Sequence, residues 1–471
     1  MIKKMETIIF QFQGCFSNKA AFHWFVIIIS GFIIRFDHHG VSSIIRWLFL
    51  DPKQYDNLCH FFRANSWNLE NLISKWTTLV IKYYPIIKFN GRYLLIGDGI
   101  KIIKESTKMP GVKKLHQNSE NSGKGTYIFG HHFDFVGILV GRIPKYFCLP
   151  LHGQIHEGID GVREDKGIGK HPSSIVTRMA WLIVQTATNT GKLCYAAVDS
   201  YFATGPMFLI LKTAVNEHGE QIAHIVTQAK KNYVLFFDCE FAQKRFHKND
   251  KFNITDWFDS PELFKRITLN YQGKTKTVDY YCNNYLWQPV SDFVRFIWIK
   301  DGDKRFVLMS SDLQIPPADF ISIYLFRSKV ETMFLFLKHL MGGFDYHFWT
   351  KLFPKLSRGE ELDFSELLDA QQDKIIQTVE AIERFVNLAG IAFGLLQYLA
   401  LTHTSEIWEN YAGWLRSSSS KIPSEGVVQS VIQAEFFSSI GKVPNSRTLQ
   451  IIANKKRESL IDGGGWLRVD T

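Results

Sequence analysis

The chain has 471 residues, 46% of them apolar and 14% aromatic, which suits roughly two to four domains with a sizeable core and excludes a disordered chain. A formal charge of +10 and a pI near 9.1 point to an anionic partner, most simply nucleic acid. Six scattered cysteines (Cys15, Cys59, Cys148, Cys194, Cys239 and Cys282) with no Cys-x-x-Cys pair argue against a disulfide scaffold or zinc ribbon and fit reduced thiols in a cytoplasmic protein.

Residues 1–88 read as a helical region that could bind DNA. "SSIIRWLFLD", "YDNLCHFFRAN" and "NLENLISKWTTLVIKYY" have helical apolar spacing, punctuated by Asp51-Pro52 and Asn68. The most hydrophobic stretch, "FHWFVIIISGFIIRF" at 22–36, is short for a bilayer span and is broken by Ser30 and Gly31. Arg35, Asp37, His38 and His39 follow it where a signal peptide would carry small residues, so it is expected to be a core helix, with no membrane association.

From residue 89 to 239 the texture is that of a sheet with helices. "GRYLLIGDGIKI", "GTYIFGHHFDFVGILVG" and "KYFCLPLHGQI" are strand candidates, the first an apolar run ending at Asp98. "SSIVTRMAWLIVQTATNTG" is a helix with a Ser start and a Gly stop, and "KLCYAAVDS" a buried strand ending at Asp199. "MFLILKTAVNEHG" then reads as a helix and "AHIVTQAK" as a strand. Three strands, helix, strand, helix, strand implies a mixed sheet covered by helices, an α/β fold. Residues 240–305 are polar and basic, a β-rich insertion. The hairpin in "FVRFIWIKDGDKRFVLMSSD" turns at Asp-Gly. Residues 306–345 return to the core with a buried helix. "GGFDYHFW" ends that helix, amphipathic helices are expected over about 361–415, and "RSSSSKIPSEG" is a linker to a basic tail, so that 346–471 is a helical C-terminal region.

The helix in 306–345 carries the chemistry. Its window "YLFRSKVETMFLFLK" places Tyr324, Arg327, Glu331 and Lys338 within an arc of roughly 60° on an otherwise apolar cylinder. Buried charges cost several kcal/mol each unless paired, so this stripe needs a partner. Asp98 and Asp199, at strand ends, could bring two more carboxylates to Glu331. Three converging carboxylates repel one another unless cations hold them, and Mg²⁺, a hard ion with oxygen ligands, suits them. The plainer alternatives are an Asp98 turn, an Asp199 helix cap, and an Arg327–Glu331 pair of a few tenths of a kcal/mol. His131 and His132 fit structural histidines on a strand beside Asp98, and His152 and His156 a glycine-rich loop. Asp238 and Glu240 of "FFDCE" are reserve carboxylates. Trp257, Trp287 and Trp298 in the insertion fit core tryptophans, although an aromatic can flip a base.

The spacing Tyr-(2)-Arg-(3)-Glu-(6)-Lys resembles the signature of the YREK-bearing DDE transposases of bacterial insertion sequences, with Tyr324, Arg327, Glu331 and Lys338 all in place. "LMSSDLQI" resembles the strand before that helix, "GDGIKIIKESTKMPGVKKLHQ" the first-aspartate region and "VDSYFA" the second. The resemblance covers roughly residues 1–400. It implies an RNase H-like core with a β insertion between the second Asp and the Glu. The implied catalytic, metal-binding residues are Asp98, Asp199 and Glu331, with two Mg²⁺ ions (Mn²⁺ substituting). Tyr324, Arg327 and Lys338 are implied to contact DNA phosphates. The implied reaction is cleavage at transposon ends and attack of the freed 3′-hydroxyl on target DNA. Implied partners are double-stranded DNA bearing terminal inverted repeats, target DNA, and a second copy in a homodimer. A repressor-like copy that does not cut, or a nuclease that does not join, are the alternatives.

Overall fold

Apolar periodicity and capping residues set the first helices. The computed structural model describes residues 1–116, 126–156, 174–237, 251–354, 367–415 and 421–456. Within it, α1 (Ile2–Ile9), α2 (Lys19–Ile34), α3 (Ser42–Trp47), α4 (Tyr55–Phe61) and α5 (Leu69–Tyr83) precede the sheet. Asn18 and Asn68 cap α2 and α5, their side chains accepting from the N–H groups of Ala21 (2.8 Å) and Asn71 (3.0 Å). As expected from its composition, α2 is a core helix: all of its residues from Trp24 to Ile34 are buried.

Strands β1 (Lys88–Phe89), β2 (Arg92–Ile103), β3 (Lys113–His116), β4 (Tyr127–Arg142) and β5 (Lys145–His156) come next, then α6 (Ile175–Thr190), β6 (Cys194–Ala197), α7 (Gly205–Thr213) and β7 (Ala223–Gln228). The expected order of three long strands, helix, strand, helix, strand is present. Ser174 caps α6, and Gly191, at φ 61°, ends it in the left-handed conformation glycine tolerates. Strands β2, β4 and β5 are antiparallel neighbours, whereas β6 lies parallel to β2 and β7 parallel to β6.

The polar segment that follows forms β8 (Val234–Phe236), β9 (Lys251–Asn253), β10 (Lys265–Tyr271), β11 (Lys274–Trp287), β12 (Asp292–Asp301) and β13 (Lys304–Ser310). These strands do not stand apart from the core: β13 pairs with β7, so one sheet runs β3-β4-β2-β6-β7-β13-β12-β11-β8-β9, with β5 also on β4. The hairpin between β12 and β13 turns at Gly302, φ 60°. The fold is therefore mixed α/β, a large mixed sheet flanked by helices.

Helices α8 (Pro317–Phe326), α9 (Lys329–His339), α10 (Asp369–Thr402), α11 (Thr404–Asn410), α12 (Glu425–Ser439) and α13 (Arg447–Ala453) complete the chain. Three expectations need correction. The window over 324–338 is two helices, because Arg327 and Ser328 form a tightened turn between α8 and α9. There the N–H groups of Arg327, Val330 and Glu331 bond three residues back, to Tyr324, Arg327 and Ser328. His152 and His156 lie on strand β5 and not in a loop. And α10 is not amphipathic in its second half, since every residue from Ala381 to Leu401 is buried. By length and composition α10 could cross a bilayer, but 94% of its apolar window lies inside the fold.

The buried polar groups of α10 explain its position. Asn387 accepts from the N–H of Gly153 (2.9 Å) and donates to its carbonyl (2.7 Å), and Glu383 accepts from the N–H of Ile155 (2.9 Å). Two side chains thus take the place of a neighbouring strand along the outer edge of β5, satisfying groups whose burial unpaired costs about 1–3 kcal/mol each. Arg384 donates to the carbonyls of Phe62, Ala64 and Trp67. Arg35 ties α2 to the end of α9 through Met341 O (2.6 Å) and Gly342 O (3.0 Å), while Gln433 bonds the last carbonyls of α2.

Two glycines of α10 test this packing. A Cβ on Gly394 would meet the Trp76 ring at 2.4 Å, whereas one on Gly390 would touch Pro150 at 3.5 Å. Glycine to alanine in a helix is normally stabilising by about 1 kcal/mol. Gly390→Ala is expected to keep or raise the thermal midpoint and Gly394→Ala to lower it. Equal midpoints for the two variants would contradict the packing of Trp76 against α10.

Candidate active site

Alternation along β2 decides which side chains reach the site. Gly97 lies against Met179, Val198 and Ile183, so Asp98, one residue on, faces the opposite side of the sheet, towards α9. The expectation that Asp98 ends its strand needs correction: β2 continues to Ile103. It is β6 that stops, since its parallel pairing with β2 ends at Ile96 and Ala197. Asp98 therefore projects just beyond the last paired residue. Asp199 follows β6 and caps a short 3₁₀ turn, its Oδ1 accepting from Ser200 N–H at 2.7 Å. The capping role considered for Asp199 is thus real, and it leaves Oδ2 free for the site.

The turn between α8 and α9 brings Arg327 into this corner. Its guanidinium Nη2 lies 3.0 Å from Asp98 Oδ2 and 3.9 Å from Asp199 Oδ2, and its Nη1 lies 3.2 Å from Glu331 Oε1. Three carboxylates from three elements thus converge on one cation. Side-chain exposure rises from 17% for Arg327 and 19% for Asp98 to 41% for Asp199 and 65% for Glu331, so the corner opens to solvent on the Asp199–Glu331 side.

The electrostatics follow from that arrangement. Burial pushes the Asp98 carboxyl above its usual range; Arg327 and the Gly99 N–H pull it down, and Asp199 adds to the rise. Burial also works against the charge on Arg327, but Asp98, Asp199, Tyr324 and Glu331 outweigh it, and the guanidinium stands above its usual value. Tyr324 donates to Gln228 Oε1 at 3.0 Å, and burial foremost raises its phenol to about 12. Gln228, the last residue of β7, had no signal in the sequence. Lys338 is exposed in the last turn of α9.

The other sequence candidates separate from this corner. His131 is fully buried, bonded to Tyr346 Oη (2.6 Å) and Pro110 O (2.9 Å), and burial lowers it to about 3. His132 pairs with Asp134 at 3.0 Å, beside Gly99, on the sheet face opposite Asp98. Both read as structural histidines. Trp298 is buried and donates to Ile254 O, Trp287 packs against Phe208 and Tyr233, and Trp257 against Phe252 and Tyr281. Asp238 and Glu240 lie outside the described residues. Cys15, Cys59, Cys148, Cys194 and Cys282 are free thiols.

Among the described residues no group of three or more His, Cys, Asp or Glu side chains is arranged to hold a metal ion. The three acids converge on a guanidinium instead. The chain matches no protein-family profile, and no curated protein sequence matches it.

Removing the guanidinium gives a pH-dependent penalty. A raised carboxyl pKa favours folding at acid pH, and that contribution is lost as the pH rises through the raised value. Without Arg327 the Asp98 carboxyl rises further. Arg327→Gln should therefore melt below the wild type at pH 7.5, with the gap narrowing as the pH falls towards about 4. A gap of constant size across that range would mean that the ion pairs do not set it.

Proposed function

We propose that the chain is a DDE transposase that cleaves DNA at insertion-sequence ends and transfers the 3′-hydroxyl to target DNA. One observation carries this reading: Asp98, within β2 just past the end of its parallel pairing with β6, Asp199, directly after β6, and Glu331, on a helix, meet around a single positive charge. The strand order β5-β4-β2-β6-β7, antiparallel then parallel, supports an RNase H-like core, and on this reading the strands that follow β7 and precede Glu331 include the family's insertion.

The donor set fits Mg²⁺, with Mn²⁺ as its substitute. All three acids offer hard oxygen ligands, and the guanidinium already stands in as their cation. When bound, a pair of such ions activates the attacking oxygen and stabilises the leaving one in phosphoryl transfer. The protein's share is positioning. Gly99 and Ser200 N–H groups hold one oxygen of Asp98 and of Asp199, which leaves the other oxygen of each directed at the centre. Tyr324 and Lys338 lie on the same pair of helices as Glu331, and with Arg327 they would hold the DNA backbone as charge-assisted donors. The net positive charge serves phosphate neutralisation, so affinity for DNA should fall steeply with salt. A homodimer on two DNA ends, in the cytoplasm at the nucleoid, completes the reading.

The test is cleavage and joining of a labelled duplex carrying the inverted repeats that flank the gene, in Mg²⁺, with Glu331→Gln alongside. Wild type is expected to nick at the repeat boundary and join the end to a target. The variant should bind but cut at least about 100-fold more slowly, as when one preorganised charge contact is lost. Binding by both with cutting by neither, in Mg²⁺ or Mn²⁺, would favour a repressor-like copy. Cutting without joined product would favour a nuclease.

A further inference from the structure

We propose that Arg327 is an internal placeholder: its guanidinium holds Asp98, Asp199 and Glu331 together until a divalent cation replaces it, and the exchange frees the same guanidinium for a DNA phosphate. The inference rests on the metal-dependent reading above and concerns how that site is loaded. As the side chains stand, the place where a cation would be shared by the three acids is taken, at 3.0, 3.9 and 3.2 Å, by the nitrogens of Arg327. A divalent ion and a guanidinium repel each other and compete for the same oxygens, so one must leave as the other enters.

Three features make the exchange possible without rebuilding the site. The two aspartates do not depend on Arg327 alone for their orientation, because Asp98 Oδ1 accepts from Gly99 N–H at 2.8 Å and Asp199 Oδ1 from Ser200 N–H at 2.7 Å. The guanidinium is incompletely held: its Nε is buried and has no hydrogen-bond partner. It also hangs from the tightened turn between α8 and α9, not from the middle of a helix. The rise in exposure from Asp98 to Glu331 gives an ion a route in and the guanidinium a route out.

The consequence is a coupling. While the acids hold Arg327, it cannot clamp phosphate; once an ion takes the acids, it can. Metal loading therefore assembles the phosphate clamp as well as the reactive centre, and DNA bound by Arg327 favours retention of the metal by the reciprocity of linkage.

The test needs no catalysis. Mn²⁺ binding to the full chain without DNA is followed by the loss of free-Mn²⁺ paramagnetic resonance signal, for wild type, Arg327→Gln and Arg327→Lys. Arg327→Gln is expected to bind Mn²⁺ about 10- to 1,000-fold more tightly than wild type, the span by which one neighbouring charge moves a carboxylate's proton affinity. Arg327→Lys, which keeps the charge on a single ammonium that cannot fork across three acids, should gain less but in the same direction. If Arg327→Gln does not fold, as judged by circular dichroism, Arg327→Lys decides by the same criterion. Variants that bind Mn²⁺ no more tightly than a wild type that does bind it would overturn the placeholder and leave the metal site standing. Absence of binding in all three proteins would overturn both.

Discussion

Three carboxylates cannot share one partly dry corner of a protein without positive charge, and the elements around Arg327 are placed to answer that constraint. Asp98 needs β2 to run past its parallel partner; Asp199 needs β6 to stop; Glu331 and Arg327 need a turn of helix laid across both. Each of these is a backbone decision, and the guanidinium is where they are reconciled. An ion pair in such a setting contributes little net stability, because desolvation offsets most of the attraction. Its value lies in fixing the relative position of elements that are distant in sequence: Arg327 and Asp98 are separated by 229 residues.

The sheet gives that corner its stiffness. Strands β10 to β13 continue the surface begun by β2, β6 and β7, so the polar segment between Asp199 and Glu331 is part of one hydrogen-bonded plane. One of its edges, at β5, is closed by α10. Asn387 and Glu383 take strand-like hydrogen bonds of β5, which occupies that edge of the sheet against pairing by another chain.

Much of this was legible in the residues. The Ser174 start and Gly191 stop of α6, the Asp-Gly turn before β13, and the apolar runs of β2, β4 and β6 are local signals, and local signals are what sequence periodicity reports. The spacing of Tyr324, Arg327, Glu331 and Lys338 drew attention to a segment that folds as two helices and not one, and Asp98 and Asp199 lie beside its Arg327 in space. What escaped depended on contacts far along the chain. Asp98 lies in mid-strand because β4 extends the ladder beyond β6, and His152 and His156 are strand residues because β4 pairs with them, neither of which composition reveals. The break at Arg327–Ser328 lies in a sequence with no Gly or Pro, so no local residue announced it. That Arg327 would face inward to the acids is a matter of charge balance in three dimensions, and only the assembled corner shows it.

The burial of α2 and α10 has a consequence for synthesis. α2 is apolar around most of its circumference, and the glutamine that bonds its last turn, Gln429, lies 396 positions after Ile33. α10, which closes the edge of β5, also follows α2 by a long stretch of chain. Until both have emerged, a greasy helix and an uncovered sheet edge have no native partner. A partly made or partly folded chain therefore exposes the surfaces most prone to aggregate, an exposure that follows from the order of the segments and not from the stability of the finished fold.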